Sequence, residues 1–290
     1  MNWKQLISAK RFGMEEFHEE RQENRSEFQR DYDRLIFSAP FRRLQNKTQV
    51  FPLPGSVFVH NRLTHSLEVA SVGRSLGDDV AKALLERHPE LQDSFLPEIG
   101  SIVSAACLAH DLGNPPFGHS GEKAISTFFS EGKGVRLKEK QPNGEQLSPM
   151  EWEDLTHFEG NANAFRILTH QFEGRRKGGF VLTYTTLASI VKYPFSSSLA
   201  GTKSKFGFFV SEEESFQKIA TELGLTLLNE HPLKYARHPL VYLVEAADDI
   251  CYQMMDIEDA YKLKILTTEE TKELLMTYFS EERQEHLRKT

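Results

Sequence analysis

Apolar residues recur at spacings of three and four along most of the 290-residue chain, a pattern that predicts a largely helical protein. The repeat is regular from Leu63 to Leu85, whereas residues 97–110 are almost wholly apolar and predict a buried helix. The segment 181–195, "VLTYTTLASIVKYPF", is helical by length although it is rich in β-branched residues. A helix is also predicted over residues 14–36, and "SAPFRRLQ" starts another, with Pro40 in its first turn. Further helices are predicted over 159–172, 211–229 and 238–262.

Proline, glycine and charged residues interrupt the helical pattern. "VFPLPGSVFVHN" (50–61) predicts a loop or short hairpin, residues 131–153 predict an exposed insertion, and 196–207 predict a flexible loop. The last stretch opens with a Thr-x-x-Glu capping signature and reaches the chain end without a stop signal, so we expect the natural protein to be longer than this chain. We therefore predict an all-α fold with at most a small β-hairpin, in a single domain over 1–290 with its core at about 50–262.

The composition is that of a globular protein, with 39% hydrophobic and 27% charged residues. The longest apolar runs fall short of the roughly 20 residues that a membrane-spanning helix needs, so no membrane partner is expected. The N-terminus is charged and lacks the apolar core of a secretory signal. Cys107 and Cys251 lie in apolar helical patterns, which predicts reduced thiols and a cytoplasmic location.

The net charge of −7 argues against a protein whose main task is to coat nucleic acid, because that task needs a broad basic face. It leaves room for an anionic small molecule. Several Lys and Arg side chains that converge on one pocket can bind phosphate within an acidic protein, since the local potential decides.

Four residues of metal-ligand type lie in apolar helical patterns. His65 begins one helix, His110 and Asp111 end another, and Asp248 lies within "VYLVEAADDICYQMMD". Burying ionisable groups is costly unless they are paired or bind a metal. One such histidine alone is more often a hydrogen-bonded core residue, but the four together favour a divalent metal, with positions open for water or phosphate oxygen.

Asp249 is the alternative to Asp248 as the last metal ligand. Helical phase favours Asp248, because Tyr252 and Asp256 follow it at i+4 and i+8 and share its face. Tyr252 is then expected to face the same cavity, although it could also be an ordinary core tyrosine.

The segment "GNPPFG" follows the His-Asp pair and cannot continue a helix, because proline lacks the amide hydrogen and clashes with the preceding turn. The chain must turn, and we expect the turn to return His119 and Glu122 toward the metal. Residues three apart on a helix share a face, so Glu122 could orient the imidazole of His119 for catalysis. The alternative is that Glu122 is an ordinary first-turn carboxylate favoured by the helix dipole.

The blocks "FRRLQNKTQVFPLPGSVFVHNRLTHSLEVASVGR", "HDLGNPPFGHSGE", "HFEGNANAFR", "LTYTTLASIVKYP", "KFGFF" and "EAADDICYQMMDIEDA" cover roughly residues 25–262. In this order they resemble the bacterial deoxyguanosine triphosphate triphosphohydrolase family of the HD-domain superfamily, kin of the SAM-and-HD-containing deoxynucleotide hydrolase. The resemblance implies a divalent metal, which could be manganese, magnesium, iron, cobalt, nickel or zinc. It also implies a homo-oligomer, often a tetramer or hexamer, and possible binding of single-stranded DNA.

The resemblance implies a role for each matching residue. It places the metal on His65, His110, Asp111 and Asp248, and catalysis on His119 and Glu122. It implies substrate contacts from Gln49, Val50, Arg62, His157, Lys192, Lys205, Tyr252 and Asp256, with Glu159, Asn161 and Tyr193 nearby.

Within that set, Gln49 and Val50 match the family's sugar-reading pair, which meets the 3′-hydroxyl and leaves no room for a 2′-hydroxyl, so a deoxy preference is expected. Arg62 is expected at the α-phosphate or base, and His157 near the phosphates. Lys192 and Lys205 are expected at the triphosphate, although a loop lysine is often only solvated.

The implied reaction is hydrolysis of a deoxynucleoside triphosphate at the α-phosphorus, which yields deoxynucleoside and intact inorganic triphosphate. Two alternatives remain at this level: an HD-type phosphodiesterase or nucleotidase acting on another nucleotide, and a non-catalytic regulator that binds nucleotide or single-stranded DNA. The sequence leaves the base preference, the native metal and any activation by a second nucleotide open.

Overall fold

The computed structural model describes residues 2–16, 24–49, 60–139, 146–174, 177–201 and 205–289. Its α-helices are α1 (Trp3–Leu6), α2 (Glu27–Ile36), α3 (Ala39–Arg43), α4 (Arg62–Arg87), α5 (Ile99–Ala109), α6 (Gly118–Ser130), α7 (Pro149–Thr156), α8 (Gly160–Thr169), α9 (Tyr184–Ile190), α10 (Glu213–Glu222), α11 (Val241–Lys262), α12 (Thr268–Met276) and α13 (Glu281–Arg288). Two short strands, β1 (Leu227–Asn229) and β2 (Lys234–Tyr235), pair antiparallel. The predicted all-α fold with a small hairpin is confirmed.

Helix α5 is the centre of the core. Every residue of this helix is buried, as its nearly continuous apolar sequence predicts. Helix α4 makes the most extensive packing against it, and α2, α9 and α11 pack around it as well. The hydroxyl of Ser104 donates to the carbonyl of Ala70 at 3.0 Å, so even the polar side chain on this interface has a partner. His65, near the start of α4, and His110, just after α5, are therefore carried by helices of this core.

The helix predicted over residues 14–36 begins only at Glu27. Residues 14–16 and 24–26 are not helical, and 17–23 lie outside the described residues. The side chain of Ser26 accepts a hydrogen bond from the backbone N–H of Gln29 at 3.2 Å and sets the start of the helix. Earlier in the segment, the carboxylate of Glu15 accepts from the hydroxyl of Tyr184 at 2.7 Å, a tertiary contact that sequence periodicity does not contain.

The helix predicted over residues 211–229 was too long at its C-terminal end. Helix α10 ends at Glu222, and Gly224 follows with φ +66°, a left-handed conformation that terminates helices and suits glycine. The chain then enters β1, so the hairpin of this fold lies at 227–235. The loop or hairpin predicted over 50–61 lies outside the described residues except for its last two positions, and Asn61 forms an isolated antiparallel bridge with Thr48.

An ion cluster attaches the N-terminal segment to the core. Arg11 is 1% exposed, donates to the Asp31 carboxylate and to the carbonyl of Val181, both at 2.7 Å, and also pairs with the Glu27 carboxylate. Asp31 in turn accepts from the backbone N–H of Thr183 at 2.9 Å. A buried guanidinium is tolerated here because its donors meet carboxylates and a carbonyl.

The other predicted helices are present with shifted ends, as the bounds of α5, α8, α9 and α11 show. The segment 131–153 contains a 3₁₀ turn, Lys133–Lys138, and the first residues of α7, and most of its described residues are exposed. Of the helices described, none combines the length and the apolar character needed to cross a bilayer.

Candidate active site

His65 is placed by the start of α4. Asn61 caps this helix: its side chain accepts from the backbone N–H groups of Leu63 and Thr64, both at 3.0 Å, while its own N–H donates to the Thr64 hydroxyl. His65 is therefore on the first turn, where it is 1% exposed. Its Nε2 lies 3.0 Å from Oδ1 of Asp248. Because the cap sets where α4 begins, it also sets the position of the His65 imidazole in the core.

His110 ends α5 and presents one free nitrogen. Its Nδ1 lies 2.6 Å from the carbonyl of Cys107, so Nδ1 carries the proton and donates. Its Nε2 is buried and has no hydrogen-bond partner among the described residues. This nitrogen lies 3.5 Å from Oδ1 of Asp248 and 3.6 Å from Oδ1 of Asp111. Donation of Nδ1–H to a carbonyl turns Nε2 toward these carboxylates, and a metal that bound there would displace the proton that Nε2 carries at neutral pH.

Asp248 reaches the two imidazoles from α11. Its side chain is half-buried, whereas Asp249 is exposed, so the structure turns Asp248 toward His65 as helical phase predicts. Burial acts to raise the pKa of Asp248, but His110 and His65 outweigh that effect and hold the pKa well below its usual range. Asp248 is therefore ionised at neutral pH.

Asp111 is held from both sides. Its Oδ2 accepts from Nη1 of Arg62 at 2.7 Å, and its Oδ1 accepts from Nδ2 of Asn114 at 2.5 Å. Burial acts to raise the pKa of Asp111, and His110 together with Arg62 brings it below the usual value. Burial likewise opposes protonation of His110, but Asp111 and Asp248 raise the pKa of His110 to about 9.

The residues present fit a divalent metal. Ligand atoms of His65, His110 and Asp111 all lie within 4.8 Å of one another, and Asp248 contacts both histidines. Nε2 of His110 makes no hydrogen bond among the described residues but faces two carboxylates at 3.5 and 3.6 Å, and this arrangement favours a metal over a hydrogen-bonded core cluster. Two imidazoles and two carboxylates suit several first-row divalent ions, and the geometry leaves the identity of the ion open.

The turn after Asp111 packs directly onto α8. A Cβ atom at Gly113 would lie 2.0 Å from the carbonyl oxygen of Gly160, and one at Gly160 would lie 2.1 Å from Oδ1 of Asn114. The side chain of Asn163 donates to the carbonyl of Gly113 at 2.8 Å. The two backbones are therefore in contact, and only glycine allows this approach.

His119 and Glu122 do return to the metal-ligand residues, because both line one cavity with His110, Asp111 and Asp248. A hydrogen bond through which Glu122 would orient His119 is not found among the described residues. Glu122 accepts instead from the backbone N–H of Gly160 at 2.7 Å, since the first amide of α8 needs an acceptor. Nε2 of His119 lies 3.4 Å from Nζ of Lys205. The catalytic roles of His119 and Glu122 stay predictions.

The cavity has a volume of about 610 Å³ and is open at one side. Five of the predicted substrate contacts line it: Gln49, Arg62, Lys192, Lys205 and Tyr252. Gln49 has a buried Oε1 without a partner among the described residues, which leaves an acceptor free inside the site. Lys192 pairs with Glu245 at 2.9 Å.

Two of the predicted contacts that the structure describes do not line the cavity. His157 lies at the end of α7, where Nδ1 is 3.1 Å from the carboxylate of Glu153, and Asp256 lies one turn beyond Tyr252 on α11. Neither lines the cavity. Val50 lies outside the described residues. The substrate roles of these residues stay predictions.

The sequence pattern did not single out Asn114 or Lys47. Asn114 follows Asp111 by three residues on a tight turn, and this spacing was the one sequence signal that the two side chains could be hydrogen-bonded. Lys47 donates to the carbonyl of Asn114 at 2.5 Å, and burial lowers its pKa. Its partner lies 67 positions later in the chain, so no local pattern could have identified it.

A model of the HD domain matches residues 62–177, which include His65, His110 and Asp111 and leave Asp248 outside. The helical fold, the histidine-aspartate pair at the end of α5 and this match together define the chain as a protein of the HD superfamily.

The chain is similar to curated relatives over most of its length. It is 46% identical over 284 residues to a deoxyguanosinetriphosphate triphosphohydrolase-like protein of Pseudomonas aeruginosa (strain LESB58), with 95% of this chain and 61% of the relative covered. A like-named protein of Synechocystis sp. is 45% identical over 275 residues, covering 92% of this chain and 61% of the relative. A deoxyguanosinetriphosphate triphosphohydrolase of Yersinia enterocolitica is 36% identical over 304 residues, covering 93% and 57%.

Within the HD superfamily, the chain belongs to the family of the deoxyguanosinetriphosphate triphosphohydrolases. It spans about three fifths of the length of the curated relatives it matches.

Proposed function

We propose that this protein hydrolyses deoxynucleoside triphosphates to deoxynucleoside and inorganic triphosphate, with the help of a divalent metal. The observation that carries the proposal is one cavity lined both by the His110, Asp111 and Asp248 cluster and by Arg62, Lys192 and Lys205. Clustered metal-ligand side chains beside several cations suit a phosphate ester of high negative charge. The names of the relatives support the same substrate class.

In the proposed reaction a water oxygen attacks the α-phosphorus. The bond from that phosphorus to the 5′ oxygen breaks, and the deoxynucleoside leaves with a proton on its 5′ oxygen. The three phosphates stay joined and are released as one triphosphate ion that contains the water oxygen. A divalent ion bound by His65, His110, Asp111 and Asp248 would supply Lewis-acid polarisation of a phosphoryl oxygen.

The remaining steps fall to side chains of the chain itself. His119 stands on the cavity wall as the proton acceptor for the attacking water and can return that proton to the 5′ oxygen. Arg62 lies at the α-phosphate end, because it is bound to Asp111 at 2.7 Å. Lys192 and Lys205 bind the β- and γ-phosphates, and they hold the substrate in the orientation that attack requires.

Gln49 supports recognition of the 3′-hydroxyl of the sugar. Its buried Oε1, which has no partner among the described residues, is an acceptor that this hydroxyl can satisfy. A site that hydrogen-bonds a substrate hydroxyl strongly rejects analogues without that hydroxyl, because its own polar group is then left unpaired. An apolar pocket discriminates less strongly against an analogue with an extra hydroxyl. We therefore propose that dideoxynucleotides are poor substrates.

Product analysis tests the proposal. The purified protein is incubated with manganese and each of the four deoxynucleoside triphosphates, alone and in pairs, and the products are separated by anion-exchange chromatography. Deoxynucleoside and tripolyphosphate in equal amounts are the expected products, and turnover seen only with nucleotide pairs would indicate activation by a second nucleotide. Release of orthophosphate or pyrophosphate would contradict the proposal, and so would turnover of cyclic nucleotides or monophosphates only.

A further inference from the structure

Glu159 stands immediately before α8 and is completely buried. It is the N-cap of this helix: Oε2 accepts from the backbone N–H of Asn161 at 2.5 Å and of Ala162 at 3.3 Å. Short side chains such as Ser, Thr, Asp and Asn are the usual N-caps, because they reach these amides with little loss of side-chain conformational entropy. A glutamate is a poor choice for capping alone, so its extra length calls for another explanation.

The second oxygen of Glu159 supplies that explanation. Oε1 accepts from Nδ2 of Asn161 at 2.8 Å and from Nζ of Lys205 at 2.7 Å. The carboxylate is thus divided between the helix, which uses one oxygen, and the lysine, which uses the other. Burial raises the pKa of Glu159, and Lys205 opposes that rise, as expected for a buried carboxylate whose charge depends on a partner.

Lys205 has little freedom in this position. Its side chain is only 25% exposed, and its Nζ also lies 3.7 Å from Oε2 of Glu122 and 3.4 Å from Nε2 of His119. Burial acts to lower the pKa of Lys205, but Glu159 outweighs it and raises the pKa, so the lysine stays charged. A lysine otherwise loses considerable rotamer entropy when it is fixed. Here the Lys205 side chain is already held by Glu159 in the absence of ligand.

We propose that Glu159 is a positioning residue, an inference that rests on the proposed function. Glu159 fixes the Lys205 ammonium beside His119 at the cavity wall, where the ammonium binds a phosphate oxygen of the substrate. An ammonium has three N–H donors, and Glu159 occupies one of them directly. A second lies toward Nε2 of His119 at 3.4 Å, and the third remains for the phosphates. Glu159 itself does not touch the substrate, because it lies behind the lysine and does not line the cavity.

Kinetic constants separate positioning from simple binding. Glu159→Gln keeps the size and the capping oxygen but removes the charge that holds Lys205. We expect kcat to fall about tenfold, the usual size for loss of a charged hydrogen bond. KM is expected to stay constant or fall, because a negative charge near the triphosphate has also been removed. Lys205→Met should lower kcat at least as much and should also raise KM about tenfold, because it removes the phosphate contact itself.

Lysine labelling tests the geometry without relying on activity. The whole protein is treated with formaldehyde and cyanoborohydride, and peptide mass spectrometry follows dimethylation of Lys205. Loss of the ion pair in Glu159→Gln is expected to increase the labelling rate of Lys205 about tenfold, since the amine then loses its proton more readily. Glu151→Gln is the matched control: Glu151 accepts from the backbone N–H of Ser148 at 2.7 Å in α7 but is exposed.

The outcomes are distinguishable. An unchanged labelling rate in Glu159→Gln overturns the positioning role, and so does a fall in kcat that is fully explained by a smaller folded fraction in thermal unfolding. If the wild-type protein hydrolyses no deoxynucleoside triphosphate, the proposed function fails, while labelling still decides whether Glu159 fixes Lys205. A larger KM in Glu159→Gln with unchanged kcat would make Glu159 a binding residue and would refute the inference.

Discussion

His238 is buried in its neutral form, and replacing it by glutamine is expected to change the way in which stability depends on pH. The ring is 1% exposed. Nε2 donates to the carbonyl of Leu6 at 3.0 Å, and Nδ1 accepts from the backbone N–H of Leu240 at 3.3 Å. A second proton on Nδ1 would remove that acceptor. Burial lowers the pKa of His238 from 6.5 to about 4, although the bond to Leu6 opposes this.

The size and sign of the effect follow from these two pKa values. Because the folded protein binds this proton less readily than the unfolded chain, the contribution of His238 to stability is complete above pH 6.5 and is lost as the pH falls toward about 4. The full loss is about 3 kcal/mol. Asp154 works in the opposite direction, since burial raises its pKa to about 6 and its contribution grows as the pH falls from 6 to 3.8. Both proteins contain Asp154, so it cancels in a comparison.

The assay is urea denaturation of the wild-type and His238→Gln proteins at a series of pH values. At neutral pH the variant should be the less stable protein. The difference in the free energy of unfolding should shrink by about 3 kcal/mol between neutral pH and pH 4. His88→Gln is the matched control, since it removes a half-exposed imidazole at the end of α4. A difference that stays constant across this range would refute the reasoning.

Three further replacements have clear expectations. His110→Ala should abolish metal binding and turnover while the far-ultraviolet circular dichroism is retained, and near-stoichiometric metal in the purified variant would contradict the ligand assignment. Asn114→Ala removes a hydrogen bond to Asp111 and should weaken metal affinity roughly 10- to 100-fold by isothermal titration; an unchanged affinity would show that Asn114 does not orient the ligand. Arg11→Ala removes the buried guanidinium that pairs with Asp31 and Glu27 and should cost about 3–5 kcal/mol in urea denaturation at neutral pH. A cost below about 1 kcal/mol would contradict a strong contribution from this cluster.

Sequence periodicity was enough to predict the helices that build the core. The apolar run that became α5 is continuous because the helix is buried on every side, and the pattern contains that information directly. The start of α2 and the end of α10 were missed, because Ser26 and Gly224 act through local capping and backbone conformation. Periodicity reports which face is buried but carries little information on where a helix begins.

The candidate site was predictable where residues are close in sequence or share a helical face. His110 and Asp111 are adjacent, and the phase of α11 distinguished Asp248 from Asp249. The partner of Glu122 was not predictable, because the amide of Gly160 that it accepts from lies 38 positions away in the chain. Spacing of three residues made a bond between His119 and Glu122 possible, and a helix end that needed an acceptor took the carboxylate instead.

The contact between Gly113 and Gly160 has a mechanical consequence. With no side chain between them, the turn that follows the His110–Asp111 pair and the first turn of α8 are in direct main-chain contact, which leaves little space for either to shift against the other. The separation between the metal-ligand pair and Glu159 is then set by main-chain geometry. A change in the width of the cavity must then come from side chains that enter it from other parts of the chain, such as Gln49 and Tyr252.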